Sequence, residues 1–481
     1  MTSLLSQLSP ELEKSLSNKT ATIDSVLLNP SVVTFFKMNC EPLTLFFCHH
    51  AKSLLHSALS HERSDISDTA FEIITAGHIR LFHEIIHKKV MSEVALEVLS
   101  NSDGPTEIQL SRLSDIISFI FAMQIPEATE NCEYLYCLLK RADNINVSFL
   151  FRMLFGNHEQ LKFAQARFSK MKFPEFISNE LFHIKLNQCA KNDLNNPIFL
   201  RIESYFKILQ VLAQNKLFQC DFSDEIVSSS LLQSFNAPNY VIDAQWQTIY
   251  IIFSINPIPS NSDNILNSSK TENSVKSKVE LKNEPKNLKK GAKNKSENHQ
   301  NQNLFSISTW HYFIEPACSL FHEVPDEIHF YHQYALLFLS TMLSNDHSFA
   351  SKHFLRTILA MFIKFENCSI FHFAIRHFIF NSLTIRGLNV NMALTFAPIL
   401  VIEAELRQYG IVAASALPIL NAIFNISKFD KDLEDALEEI DGFSEFVEKH
   451  LKKYQTIVKA AYGGPVAKPS SFVLSPKSLT I

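Results

Sequence analysis

His83-Glu84-Ile85-Ile86-His87 is the stretch whose residue types and spacing point most directly to chemistry. On a helix, His83 and His87 share a face one turn apart and can chelate zinc, with Glu84 as the general base of a hydrolase. That chemistry needs a third ligand. The chain continues Lys88-Lys89-Val90-Met91, so the H-E-x-x-H-x-x-G-x-x-H extension fails, and Glu93 and Glu97 fall on the next short helix. It also needs an edge strand beside the substrate, and none is predicted. A solvent-facing helix end is the expected reading, and a zinc metallohydrolase is the remote alternative.

The other chemical groupings are weaker. Cys48-His49-His50 and the His329/His332 pair lack a second pair at ligand spacing, and Glu434, Glu438 and Glu439 read as a charged helix face near Lys431. The nine glycines cannot be written as G-x-G-x-x-G or a Walker loop, and no G-x-S-x-G occurs. No catalytic residue, metal or cofactor is expected, and the chain is read as a non-enzyme.

The elements carrying these residues are amphipathic helices. Apolar residues recur at three- and four-residue spacing through Thr69–His87, Val94–Val98, Glu107–Met123, Pro126–Lys140, Val147–Phe155, Pro174–Cys189, Pro197–Gln214, Ser223–Phe235 and Asn239–Ile255. The pattern resumes at Ile307 and continues through Ile328–Leu343, Phe354–Phe365, Ser369–Ser382, Met392–Leu406, Ile411–Phe424 and Leu433–Tyr454. Pro398 is expected to kink its helix or start a new one. No sustained strand is predicted. The expected fold is all-α, an irregular α-solenoid of HEAT- or armadillo-like hairpins with one disordered insertion.

Composition sets the outer bounds. Of 481 residues, 46% are hydrophobic and 19% charged, enough for a sizeable core. A net charge of −5 gives no electrostatic case for nucleic acid. The 41 phenylalanines are taken as core filler, and the eight cysteines, with no C-x-x-C, as reduced thiols of a cytosolic protein. The polar N-terminal stretch is not expected to be a signal peptide, and no apolar run is read as reaching the ~18 residues of a membrane span. Residues 259–303 have few apolar side chains, and their lysines, from Lys270 to Lys295, outnumber their glutamates. The expected organisation is a helical half over 1–258, the disordered insertion 259–303, a second helical half over 304–462 and a disordered tail 463–481. The expected location is cytoplasmic, with a nuclear address as the second reading of the KNLKKGAKNK run.

Several segments, in order and spacing, resemble the SAPS family, regulatory subunits of protein phosphatase 6. Ala70 with Glu72-Ile73-Ile74-Thr75 is similar to that family's A-x-E-I-L-T run, and Ser114-Asp115-Ile116 falls at the spacing of its S-K-V segment. Leu27-Leu28, Lys37, Asn39, Leu43 and Phe46-Phe47 resemble its opening helices. Phe149-Leu150-Phe151-Arg152-Met153-Leu154 sits where it has L-L-L-R-L-L, and Ile370-Phe371-His372 with Ile375 resembles F-L-H-x-x-V. Near the end, Phe443, Phe446, Val447 and Leu451 resemble its W-x-x-F-V-x-x-x-L helix. Cys368-Ser369 stands where the family has paired asparagines, so the chain is read as a divergent member. The resemblance implies a scaffold that binds a serine/threonine phosphatase catalytic subunit, with a third scaffold subunit as a further partner; no membrane span is expected from the apolar runs. It implies partner-binding roles for Glu72, Thr75, Arg152, Phe371 and His372. A HEAT-like trafficking or transport adaptor is the alternative.

Overall fold

Helix signals in the sequence become helices through identifiable caps. Ser64 Oγ accepts from the Ser67 N–H at 3.2 Å while Ser67 Oγ accepts from the Ser64 N–H at 2.9 Å. Thr106 and Gln109 exchange the same pair of bonds. Asn144, Asn196, Ser351 and Asp430 each cap a helix by accepting from an N–H of its first turn. Each cap satisfies a donor that the first turn otherwise leaves unpaired.

The computed structural model describes residues 22–184, 193–218, 236–255, 307–406 and 410–459, with five single positions besides. Among the described residues the regular elements are all helical, and the chain divides into two compact units, Met1–Thr248 and Ile249–Ile481. The first contains α1 (Ile23–Leu27), α2 (Val32–Lys37), α3 (Glu41–His49), α4 (Ala51–Ala58), α5 (Asp65–Thr75), α6 (Ile79–His87), α7 (Val90–Leu99), α8 (Glu107–Ala122), α9 (Tyr134–Leu139), α10 (Ile145–Phe155), α11 (Lys162–Phe168), α12 (Phe173–His183) and α13 (Pro197–Gln214). The division falls within α14 (Asn239–Ile255). The second unit contains α15 (Ile307–Ser319), α16 (Phe330–Met342), α17 (Lys352–Lys364), α18 (Ser369–Ser382), α19 (Leu388–Leu406), α20 (Ile411–Ser427), α21 (Lys431–Glu438), α22 (Phe443–Phe446) and, after a π turn at Val447–Leu451, α23 (Lys452–Lys459).

Within each unit some helix contacts recur at a common spacing in the chain. In the first, α2 packs on α5, α3 on α6, α4 on α7, α5 on α8 and α10 on α13. In the second, α16 packs on α18, α17 on α19, α18 on α20 and α19 on α21. These contacts span three helices in one unit and two in the other, and they stand beside contacts at other spacings, α4 on α5, α7 on α9 and α8 on α10 in the first and α19 on α20 in the second. The apolar stripes of these helices are buried in such contacts, and they form the core of each unit.

Phenylalanine fills that core. Phe121, Phe151, Phe155, Phe168 and Phe173 are all fully buried, and the Phe155 ring meets Phe168, Phe173 and Phe218 at centroid distances of 6.2, 4.8 and 5.3 Å. Side-chain amides tie the layers. Gln165 donates to the carbonyls of Leu154 and Gly156, and Asn215 donates to the Phe155 carbonyl at 2.8 Å and to Gln165 at 3.2 Å.

Four boundaries differ from the sequence reading; the first is the expected Leu433–Tyr454 helix, which Gly442 at φ +77° breaks between α21 and α22. Thr69–His87 is two helices, because Gly77 at φ +78° turns the chain between α5 and α6. The expected Pro126–Lys140 helix is a 3-10 turn, Pro126–Thr129, followed by α9, with Asn131 at φ +55° between them. The helix expected from Met392 begins at Leu388 and runs through Pro398, making α19 a continuous 19 residues. It is long and apolar enough to cross a membrane by length and composition, and half of its 18-residue apolar window is buried inside the protein. The helix start at Ser9-Pro10, the end of the Pro174–Cys189 helix, most of Ser223–Phe235, the 259–303 insertion and the 463–481 tail lie outside the described residues.

Candidate functional site

α6 carries the histidine motif on its outer face. Leu81, Phe82, Ile85 and Ile86 are buried, while His83 and His87 are exposed. Glu84 Oε2 lies 2.6 Å from Lys88 Nζ, an ion pair not aligned as a hydrogen bond. Glu93 and Glu97, the carboxylates considered as further ligands, both face Lys52 at 3.1 Å, and Glu97 also meets His56 at 3.1 Å. Among the described residues no three His, Cys, Asp or Glu side chains converge on one point, so no third donor joins His83 and His87. Their geometry is that of a solvated helix face.

The thiols behave similarly. The described cysteines are free, and burial pushes those of Cys132 and Cys318 up to about 12. A thiol so far above neutral pH holds almost no thiolate and is a poor nucleophile.

The positions carried by the family resemblance separate into core and surface. Phe371 and His372 are 1% and 2% exposed, so neither has surface with which to meet a partner; that assignment is corrected here. His372 stacks on Phe362 at a centroid distance of 4.3 Å, its Nε2–H donates to the Phe362 carbonyl at 3.0 Å, and its Nδ1 accepts from Ser415 at 3.2 Å. The ring joins α17, α18 and α20. Burial lowers its pKa, keeping it neutral in that tautomer. Ile375, Phe443, Phe446, Val447 and Leu451 are core residues too. Thr75 is half-buried, and its hydroxyl donates to the Phe71 carbonyl at 2.9 Å, closing its own helix.

Besides half-buried Thr75, two of the five positions reach the surface. Glu72 is exposed and pairs with Lys37 at 2.6 Å, joining two segments of the resemblance that lie 35 residues apart. Both side chains are half in water, so the pair stabilises by no more than ~1 kcal/mol. Asn39, next to that lysine, sits at φ +60°, a conformation asparagine tolerates well. Arg152 lies half-buried on α10 and its Nε has no hydrogen-bond partner. It shares a face, at helical spacing, with Ile145 and Phe149, which are 73% and 63% exposed. Two large apolar side chains beside an incompletely paired guanidinium have the composition of an interface anchor. This outer face of α10 is the candidate site.

One residue went unmarked in the sequence reading. Arg112 is 6% exposed and donates to the carbonyls of Ala58 at 3.0 Å and Ser67 at 3.3 Å, while also pairing with Asp68. It joins α4, α5 and α8. Its sequence signal was a lone arginine on the apolar face between Leu110 and Leu113.

Comparison with family models, curated proteins and solved structures finds no match.

Proposed function

We propose that this chain is a non-catalytic regulatory or scaffold subunit that binds a phosphatase-6-type serine/threonine phosphatase catalytic subunit and directs it to substrates. Catalysis and its metal ions then belong to the partner. The helices, in this reading, form an irregular HEAT- or armadillo-like α-solenoid, which the all-helical packing and the recurrence of some helix contacts at a common spacing support. The observation that carries the proposal is α10. It holds the segment most like the family's L-L-L-R-L-L, and turns Phe149 and Arg152 outward while Leu150, Phe151 and Leu154 stay in the core.

Affinity purification of the tagged chain, read by mass spectrometry, tests this. A serine/threonine phosphatase catalytic subunit is expected to co-purify, and Phe149→Asp with Arg152→Glu to remove it while leaving the helical circular dichroism unchanged. Absence of any such subunit sinks the proposal. An adaptor unrelated to phosphatases, the second reading, shares the fold and would return trafficking or transport components instead. Metal analysis settles the zinc alternative: stoichiometric zinc lost on His83→Ala would restore it.

A further inference from the structure

In the second unit, α19 is apolar on both faces. Met392, Phe396, Leu400 and Ala404 are buried, yet Leu394 and Ile402 are 44% and 50% exposed on the opposite side. Pro398 has no N–H to offer the Leu394 carbonyl one turn back, so the helix lacks one internal donor there. Facing this stripe is the acidic chain that follows α21. Between them lies a groove of about 510 Å³, with Leu394, Pro398 and Ile402 along one wall and Glu405, Glu439 and Asp441 among its other lining residues. Glu445, also in the lining, pairs with Lys449, which Glu405 influences as well. Among the described residues, Glu405, Glu439 and Asp441 have no ion pair.

This groove leaves two requirements unmet: cover for aliphatic side chains and positive charge for three carboxylates. A helix with apolar residues on one stripe and lysines or arginines flanking it supplies both. From Leu394 to Glu405 the wall spans about three helical turns, enough for a short helix to lie along it. A lipid surface fits poorly, since the carboxylates repel anionic headgroups. We propose that this groove docks a basic amphipathic helix of a partner protein, with its apolar stripe on Leu394, Pro398 and Ile402 and its cationic side chains at Glu405, Glu439 and Asp441. The carboxylates would steer the approach, and the aliphatic floor would hold the docked helix.

Fluorescence anisotropy on the full chain tests this with three labelled probes: a helical peptide of leucines and lysines with leucines on one face, a scrambled peptide of the same composition, and a version with glutamate for lysine. The amphipathic lysine peptide is expected to bind best. Ile402→Asp, and separately Glu405→Lys with Glu439→Lys, are each expected to weaken it by about tenfold or more. These side chains are exposed, and circular dichroism checks that each variant folds. Equal binding of the scrambled peptide, or unchanged binding by either variant, overturns the proposal. So does tighter binding, by about tenfold, after deletion of residues 259–303, because the chain's own lysines would then be the occupant. A dimer in sedimentation that Ile402→Asp dissociates assigns the groove to a second copy and overturns it too. No phosphatase enters these measurements, so their failure leaves the scaffold proposal standing, and the reverse.

Discussion

A guanidinium taken out of water must recover its solvation from fixed acceptors, and Arg112 does so from two carbonyls and a carboxylate on separate segments. Removing it takes a donor from the Ala58 and Ser67 carbonyls and a partner from Asp68. Arg112→Ala is expected to cost about 2–4 kcal/mol in urea denaturation. Arg112→Lys should recover little, since one ammonium cannot reach all three acceptors in the plane of the guanidinium. His332 makes the complementary prediction. It is 3% exposed, its Nδ1 accepts from the His329 N–H at 3.1 Å, and burial, with His329 adding to it, brings its pKa down to about 4. An unfolded histidine titrates near 6.5, so between those values the unfolded chain binds the extra proton. The stability is fully present above about pH 6.5 and is lost as pH falls toward 4, by up to ~3 kcal/mol from this residue. His372 and His377, lowered for the same reason, act in the same direction. Chemical denaturation across that range reads the slope, and His332→Gln is expected to flatten it.

Several boundaries between elements turn on a single residue with positive φ. Gly77 turns the chain between α5 and α6 at φ +78°, and nothing lies within 4 Å of where a Cβ would go. Gly77→Ala therefore meets strain without a clash and is expected to cost about 1 kcal/mol, with Gly77→Asn milder because asparagine tolerates the left-handed region. A much larger loss in thermal denaturation would mean that the turn does more than reverse the chain. His372 acts across elements. His372→Ala removes a ring stacked on Phe362 and leaves the Phe362 carbonyl without that donor. A loss of about 2–4 kcal/mol is expected, and His372→Phe should recover the packing but not the hydrogen bonds.

At the scale of the whole molecule, the two compact units predict that local damage stays local. Packed helices share stability with the helices they touch, so a lesion in one helix spreads only as far as those contacts reach. Arg112→Ala is expected to raise amide hydrogen exchange in α4, α5 and α8 while leaving α16 to α20 unchanged. Equal acceleration in both units would show a single cooperative structure instead.

The amino-acid sequence by itself determined the helical class and much of the helix register. Apolar spacing of three and four, with Pro and Asn at the boundaries, places Pro197–Gln214, Asn239–Ile255 and Ser369–Ser382 where they are found. These are local effects, each set within a few turns of chain. Positive-φ breaks were legible only in part: Gly104 followed by Pro105 announced itself, whereas Gly77 lay inside an unbroken apolar rhythm. Tertiary structure alone decided burial among similar side chains. Nothing local distinguishes Phe149 from Phe151, yet one is 63% exposed and the other is fully buried, because only the second faces a packed neighbour. The same holds for the acidic run near Glu439, which read as solvated surface until the apolar outer face of α19 was placed against it. Long-range packing chooses which face of each helix is covered, and a single chain pattern does not contain that choice.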